Sequence, residues 1–420
     1  MAGGGGSRTS SRTPTARGRR QTTAWLPLDV VANIAARTDP VTLVRCAATC
    51  VDMRRRVKDY IGVHGRLHLR HTDHFVPPLL RDHLIHMYMD HDMFLVDTTA
   101  VDATTLGKAT GVYGFPLASY NDLVLTRVAR KLCVWDPATG QSQTLPSEPT
   151  FPVAVVSRTQ YCATTNYVLL VGDHDDEGAT AIGRQFHVVM AYLELSQYNR
   201  YVHFQTFSSE HGAWGRYNKI RAHKLQGSNL EQRLDRALVI GDVAHWLCLT
   251  DKGDYVLKLH VRVSQVTVTL LPESLPRGKS SDKLLVTSSA GGGLVVLVAD
   301  REKVSSWAQS KQTAKLQPRP RMVIETEAIL RLLDEAGVRR PPPTPCPVML
   351  ELKLLWFAER SGAVLINVLK NMSTIGYFWL DLQSMKIGRW FSDPRVEYGN
   401  ANMPYEMNLA SWVPTFSSTL

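Results

Sequence analysis

Two stretches, 131–145 (KLCVWDPATGQSQTL) and 378–390 (FWLDLQSMKIGRW), carry the same pattern and decide the predicted fold. Each is an apolar strand that ends in an aspartate, followed by a turn and by a second strand that closes on an apolar residue. In the first, Asp136-Pro137 is a typical turn start, and Gly140 is able to adopt the positive φ that ends the turn. Hairpins repeated in this way predict the blades of a β-propeller, in which radial repetition protects the strand edges. Because the repeat period is irregular, a distorted propeller and a large sandwich both stay open.

The chain around these hairpins is a series of short β-like runs separated by Gly, Pro, Asn and Asp. Since a parallel α/β sheet would need a helix between most strands, the pattern predicts a mainly-β body over 93–415. One internal segment, Glu325–Ala336, has a helical pattern and is followed by Gly337. Together with its Lys/Arg/Gln/Pro-rich and Pro-rich flanks, it predicts a loop and helix insertion at about 301–347.

A different pattern fills residues 25–57, WLPLDVVANIAARTDPVTLVRCAATCVDMRRRV, which predict two or three short helices. Pro27 stands where a helix loses nothing by a missing N–H, and Asp29 falls in the first turn, where the helix dipole favours an anion. Val30, Val31 and Ile34 are then predicted to share one face. So short a helical pair cannot bury both of its apolar stripes, so one stripe requires a partner surface or the rest of the chain.

The spacing Leu-Pro-x-Asp-Val-Val-x-x-Ile-Ala-x-Arg, followed by Pro-Val-x-Leu-Val-Arg-Cys and Cys-x-x-Met-Arg, resembles an F-box. The resemblance implies a helical module over 23–60 that clamps a Skp-type adaptor and, through it, a cullin. At Met53 the family usually has tryptophan, and methionine is adaptable enough to fill the same space. By position, the residues that the resemblance turns toward the adaptor are Leu26, Pro27, Val30, Ile34, Val41, Leu43, Val44 and Cys46.

Three later stretches extend the resemblance: CVWDPATGQSQTLP, FSSEHGAWGRY and ALVIGDVAHWLCL. They are similar to recurring elements of plant F-box proteins with kelch-like or F-box-associated C-terminal domains, of the grass type. The implied fold is α+β and multi-domain, with a small N-terminal helical F-box followed by a mainly-β domain, an irregular β-propeller. The implied function is that of a substrate-recognition subunit of an SCF-type cullin ubiquitin ligase, which holds an unknown target protein on its β-rich domain.

Composition places the chain among soluble globular proteins, at 44% hydrophobic and 20% charged residues. Of the net charge of +10, half comes from five arginines in the first twenty residues, so 1–22 is predicted to be a disordered basic tail, and no nucleic-acid partner is predicted. No apolar run is long enough to cross a bilayer, and the N-terminus lacks the apolar region of a secretory signal. With six scattered cysteines, these features predict a cytoplasmic or nuclear location, or both, and no membrane contact.

Motifs for catalysis and metal binding are incomplete. The segment 61–92 is predicted to be a His-rich linker and the start of the body. It contains seven of the fourteen histidines, but it has neither a cysteine nor an HExxH motif. Ser208 and His211 lie close in sequence without a Gly-x-Ser-x-Gly elbow. His245-Trp246 sits on an apolar strand, which predicts a buried structural pair. The sequence therefore predicts no catalytic residue, no metal and no cofactor.

Two other functions stay open beside the receptor. One is a stand-alone β-propeller that binds a protein or ligand without a ligase role, and the other is a propeller enzyme. A stand-alone module would not bind the adaptor, whereas an enzyme would bring ionisable groups together at one mouth of the propeller.

Overall fold

The computed structural model describes residues 26–38, 46, 50–60, 80–86, 93–97, 104–108, 115–137, 141–151, 165–172, 182, 184–228, 236–273, 275, 283–289, 291–300, 303–309, 321–325, 327–329, 331, 350–371, 373–391 and 401–407. Within these ranges the chain forms two longer helices near its start and six antiparallel sheets after them.

The two N-terminal helices are α1 (Leu28–Thr38) and α2 (Val51–Tyr60). Pro27 starts α1 as predicted, because its carbonyl oxygen accepts the N–H groups of Val30 and Val31 at 2.9 and 3.2 Å. The helices pack on each other through a small apolar core made of Ala32, Met53 and Val57.

The six sheets are blades of four strands, except that one blade has a fifth. Blade 1 begins with β1 (Leu80–His86), β2 (Met93–Asp97) and β3 (Thr104–Lys108). Blade 2 contains β4 (Phe115–Tyr120), β5 (Leu123–Val128), β6 (Lys131–Trp135) and β7 (Ser142–Thr144). Blade 3 contains β8 (Asn166–Val171), β9 (Phe186–Leu195), β10 (Arg200–Ser208), β11 (Ala213–Trp214) and β12 (Asn218–Arg221).

The second half of the ring follows the same plan. Blade 4 contains β13 (Leu238–Ile240), β14 (Val243–Thr250), β15 (Gly253–His260) and β16 (Gln265–Leu270). Blade 5 contains β17 (Leu284–Ser288), β18 (Leu294–Ala299), β19 (Lys303–Ala308) and β20 (Arg321–Glu325). Blade 6 contains β21 (Leu350–Ala358), β22 (Ala363–Lys370), β23 (Ser373–Asp381) and β24 (Lys386–Phe391), after which β25 (Ala401–Met407) returns to blade 1.

The innermost strands of the blades contact one another around a ring. β25 contacts β4, β4 contacts β8, β13 contacts β17, β17 contacts β21, and β21 contacts β25. Blades 3 and 4 meet through a shared apolar core that includes Phe204 and Trp246. The arrangement is the predicted β-propeller, and the large sandwich is excluded.

The ring is closed by the last strand. β25 pairs antiparallel with β1 in a register that runs from Leu80 opposite Met407 to His86 opposite Ala401. Tyr405 on this strand is fully buried. Blade 1 is thus built from the two distant ends of the body, which ties them together.

Burial falls from the middle of a blade to its edge. All six residues of β18 are buried, whereas the edge strand β16 has none that is fully buried. Strands that neighbouring blades cover on both faces have continuous apolar runs in sequence, whereas edge strands have alternating apolar and polar residues.

Both predicted hairpins are confirmed as the outer halves of blades. In β6–β7 the N–H of Asp136 donates to the carbonyl oxygen of Gln141 at 2.9 Å. In β23–β24 the Oδ1 atom of Asp381 accepts the N–H groups of Gln383 and Ser384 at 2.8 and 3.0 Å. The side chain of Asp381 therefore organises the second turn. Gly140 lies outside the described residues.

The insertion predicted at about 301–347 is wrong in its first part. β19 and β20 lie inside it and are blade strands, with Val304 and Trp307 buried in the core. The Lys/Gln/Pro-rich segment lies in sequence between β19 and β20, which pair with each other in blade 5. Of the predicted helix 325–336, residues 327–329 and 331 are helical, Glu325 ends β20, and the rest lies outside the described residues.

Two further domain predictions concern the ends of the body. The segment 61–92, predicted as a linker and the start of the body, contains β1, which starts at Leu80. The predicted basic tail 1–22 lies outside the described residues.

Because closure depends on β25, we expect Tyr405→Ala to lower the free energy of unfolding by about 3–5 kcal/mol, as large buried aromatic truncations do. Tyr405 is 0% exposed, and Tyr198, in a blade 3 turn, is 80% exposed. Tyr198→Ala is therefore the matched control, with an expected change within about 0.5 kcal/mol. Equilibrium denaturation in urea measures both, and equal effects of the two variants would contradict the role of β25.

Candidate functional site

Three apolar side chains at the start of the chain stand in solvent at intervals of four residues. Leu26 is 60% exposed, Val30 is 40% exposed and Ile34 is 53% exposed. Since residues four apart lie on one face of a helix, they form a stripe along α1 and its leading residues, which we call the apolar ridge. Apolar side chains grouped in this way on a surface are typical of a contact site.

The other side of α1 is occupied. Ala32 packs against Met53 and Val57, and Met53 is buried at the position where the F-box resemblance has tryptophan. Leu28 and Val31 pack partly against the same core. The helical pair therefore uses one face for itself and leaves the apolar ridge outside.

The remaining predicted adaptor residues have different placements. Pro27 is exposed at the start of α1. Cys46 is half-buried against the small helical core, so it does not join the apolar ridge. Val41, Leu43 and Val44 lie outside the described residues.

A second candidate site lies at the centre of the propeller. It is a cavity of about 60 Å³ where the inner strands of five blades converge. Its polar and aromatic lining comes from chain segments far apart in sequence: Ser119, Tyr120, Asn121, Arg236, Trp356, Phe357, Glu359, Arg360 and Glu406. We refer to it as the central cavity.

Glu406 of β25 connects blade 1 to the turn between β21 and β22. Its Oε2 atom accepts the N–H of Arg360 at 3.0 Å, and its Oε1 atom accepts the N–H of Ser361 at 2.6 Å. Two backbone donors thus hold both oxygens of this carboxylate. The strand that closes the ring also fixes the wall of the central cavity.

Arg360 extends from that turn toward blade 2. Its Nη1 atom donates to Oδ1 of Asn121 at 2.7 Å and lies 3.9 Å from Oδ1 of Asp122. Asp122 is fully buried and pairs with Arg184, whose Nη1 lies 3.2 Å from Oδ2. Asn121 and Asp122 both have positive φ, as a two-residue hairpin turn requires, and these residue types tolerate it.

Glu359 is the most perturbed acid at the cavity. Its Oε1 atom accepts the N–H of Val239 at 2.8 Å, and its Oε2 atom is buried without a hydrogen-bond partner. Burial raises the pKa of Glu359 well above its usual value, and the nearby charge of Glu406 raises it further, against the opposing effect of the Val239 N–H. Glu359 is therefore poised to carry a proton and to donate it in a hydrogen bond.

A cation lies on an aromatic ring at another part of the wall. The Arg236 guanidinium lies over the Trp356 ring, 4.2 Å from its centroid, and its Nη1 donates to the carbonyl oxygen of Leu355. Stacking of this kind fixes the plane of a guanidinium group.

The central cavity could not be predicted from sequence, because the residues that line it are separated by long stretches of chain. The one local signal is the charged pair Glu359-Arg360 between two apolar strands, where a neutral turn would suffice. Such a signal marks a turn with a polar environment, but it does not identify the other blades.

Other residues considered from sequence have local structural roles. His245 and Trp246 are both buried as predicted, and burial lowers the pKa of His245 to about 4. Ser208 Oγ and His211 Nδ1 lie 3.1 Å apart on an exposed turn. Within the described ranges, no group of three His, Cys, Asp or Glu side chains is placed to hold a metal ion. No helix in the same ranges is long and apolar enough to cross a membrane.

Comparison with protein families gives one match. The model described as "Domain of unknown function (DUF7595)" matches residues 122–388, which run from the first turn of blade 2 into the last strand of blade 6. No curated protein matches the sequence.

Solved structures with a similar arrangement have little sequence identity to the chain. The periplasmic gluconolactonase PpgL of Pseudomonas aeruginosa is 12% identical, with 74% of this chain and 81% of that chain covered and a TM-score of 0.35. A protein from Lactobacillus plantarum is 12% identical, with 75% and 82% covered and a TM-score of 0.39. The Dos1 propeller is 11% identical, with 80% and 69% covered and a TM-score of 0.34.

The buried carboxyl of Glu359 predicts a pH-dependent stability. The folded protein keeps this proton in a pH range where the unfolded chain, with a glutamate pKa near 4.3, has lost it, so stability falls as pH rises through that range. Glu359→Gln cannot ionise and keeps an acceptor for the Val239 N–H. We therefore expect the stability of this variant relative to wild type to increase as pH rises from about 4 toward neutrality.

Urea denaturation at a series of pH values measures this difference. The exposed Glu273 supplies the control, because Glu273→Gln should differ from wild type by a nearly constant amount. A pH-independent difference for Glu359→Gln would show that Glu359 ionises normally in the folded protein.

Proposed function

The chain belongs to the family of the domain of unknown function DUF7595, and we propose that it is the substrate-recognition subunit of an SCF-type cullin ubiquitin ligase. In this proposal the helices α1 and α2 are an F-box that docks a Skp-type adaptor, and the β-propeller holds a target protein. The complex would act in the cytoplasm, the nucleus or both. The chain itself would perform no bond chemistry and would need no cofactor.

The apolar ridge is the observation that carries the proposal. Leu26, Val30 and Ile34 are exposed while the opposite face of α1 packs on α2. Fully burying an exposed side chain of this size contributes about 1.5–3 kcal/mol, and each of these half-exposed side chains would gain part of that on a partner. The F-box resemblance turns the same residues toward the adaptor.

The propeller supports the second half of the proposal. Its blades form a rigid ring, and loops on a rigid scaffold commonly carry protein recognition. A target held there would be brought near the ubiquitin-conjugating enzyme, which raises the effective concentration of its lysines. The mechanism is proximity, since the adaptor contact and the target contact lie on different parts of one chain.

A second candidate function is a β-propeller that binds a ligand or protein without a ligase role. The central cavity favours it, because four ionisable side chains converge there: Arg236, Glu359, Arg360 and Glu406. Adaptor binding separates the two functions, since only the receptor requires the apolar ridge.

Co-purification of the full chain with a Skp-type adaptor tests the receptor function. We expect wild type to retain the adaptor and the triple variant Leu26→Ala, Val30→Ala, Ile34→Ala to lose at least tenfold in affinity, since central apolar contacts often contribute more than about 1 kcal/mol each. All three side chains are exposed, so the variant should keep the thermal stability of wild type.

Leu270→Ala is the matched control, because Leu270 is 60% exposed, as Leu26 is, but lies on the edge strand β16. It should bind the adaptor as wild type does. A folded wild-type chain that ignores the adaptor would overturn the receptor function, and undiminished binding by the triple variant would overturn the role of the ridge.

A further inference from the structure

We propose that the central cavity is a binding site for a carboxylate group, held by the guanidinium groups of Arg236 and Arg360. This site goes beyond the receptor function and does not depend on the apolar ridge. It would operate equally in a receptor and in a stand-alone propeller.

The charge of the wall selects an anion. Arg236 and Arg360 bring two positive charges to the cavity. The carboxylate of Glu406 has both oxygens engaged by backbone N–H groups. Glu359 favours its neutral form, because burial and Glu406 disfavour its charge. The groups that line the cavity therefore sum to a positive charge when Glu359 carries its proton.

The hydrogen-bonding capacity of Glu359 also favours a carboxylate ligand. The Oε1 atom of Glu359 already accepts the Val239 N–H, so a proton on the carboxyl would reside on Oε2, which is buried and has no hydrogen-bond partner. A buried polar atom in this state is costly unless a ligand or water satisfies it. An acceptor oxygen of a bound carboxylate would satisfy it.

The two arginines are pre-oriented for such a ligand. Stacking on Trp356 fixes the plane of the Arg236 guanidinium. The bond to Asn121 fixes the Arg360 side chain, which is largely shielded from solvent. Planar guanidinium groups match the geometry of a carboxylate, and orientation before binding lowers the entropic cost.

The size of the cavity limits the ligand. At about 60 Å³ it has room for roughly five water-sized groups, if each occupies about 10–15 Å³. A carboxylate on a short stem fits this space. A phosphate group carries about −1.5 to −2 charges at neutral pH, more than a cavity that also contains Glu406 readily accepts.

Ligand-observed NMR titration of the full chain with propionate, and with propionamide as the uncharged analogue, tests the site. We expect saturable binding of propionate and none of propionamide. Arg236→Gln is the main variant, because this side chain is exposed enough to be replaced without unfolding the ring. It should weaken propionate binding about tenfold or more, as loss of a hydrogen bond to a charged group does.

The control is Arg262→Gln, since Arg262 is 79% exposed and pairs with Asp242 away from the central cavity. Its affinity for propionate should equal that of wild type. Failure of folded wild type to bind propionate, equal binding of propionamide, tighter binding of phosphate, or unchanged affinity of Arg236→Gln would each overturn the proposal.

A pH series adds a readout of Glu359. Tyr120, Arg236, Arg360 and Glu406 are the titratable or charged groups that line the cavity with it. Wild type should bind propionate more weakly as pH rises and Glu359 ionises, whereas Glu359→Gln should bind with little change over the same range. If the affinity of wild type and of Glu359→Gln for propionate changed with pH in the same way, Glu359 would have no role in binding.

The carboxylate could come from a peptide C-terminus or from a small acid, and a further pair of probes distinguishes these two sources. Tetra-alanine with a free C-terminal carboxylate and its amidated form are compared with propionate. Stronger binding of the free peptide than of propionate assigns the site to peptide ends, and binding of propionate alone assigns it to small acids. Because the triple ridge variant should still bind propionate, failure of the adaptor experiment and failure of this one are distinguishable.

Discussion

The pairing of β25 with β1 is the contact on which the rest of this protein depends. It joins residues 80–86 to residues 401–407, which are separated by nearly the whole body in sequence. The entropic cost of closing so long a loop grows only slowly with its length, and the burial of Met403 and Tyr405 helps to offset it. With this pair formed, blade 1 is complete and the ring has no open end. Each blade then buries its faces against two neighbours.

Closure also creates the central cavity. Glu406 follows Tyr405 on β25 and binds the backbone of Arg360 and Ser361 on blade 6. The same turn presents Glu359 toward blade 4 and the Arg360 side chain toward blade 2. One carboxylate on the closing strand therefore holds the blade 6 turn whose side chains contact blades 4 and 2. The chemistry of the cavity and the stability of the ring share these contacts.

The N-terminal helices differ from the blades in how much apolar surface they bury. Their shared core contains Ala32, Met53 and Val57, far fewer residues than the cores between the blades. A helical pair of this size buries little surface, so apolar side chains remain outside. The apolar ridge is the result, and it is distinct in position and chemistry from the central cavity. Within the described residues, an exposed apolar stripe and a charged cavity thus lie at separate places in the chain.

Local features of the fold were predictable from sequence. The start of α1 at Pro27, the hairpins after Asp136 and Asp381, and the strands from 115 to 270 depend on residues a few positions apart. Periodicity and turn chemistry report such short-range order directly. β19 and β20 were missed because a polar connection between them resembles an inserted loop.

The apolar ridge was also predictable in part, because Leu26, Val30 and Ile34 lie within one short segment. By contrast, the central cavity, the raised pKa of Glu359 and the return of β25 to blade 1 were decided by tertiary structure. Each depends on groups brought together from distant parts of the chain. The burial that raises the pKa of Glu359 exists only once those parts are in contact. Sequence alone determined which segments become strands and helices; the closed ring determined which charges face one another.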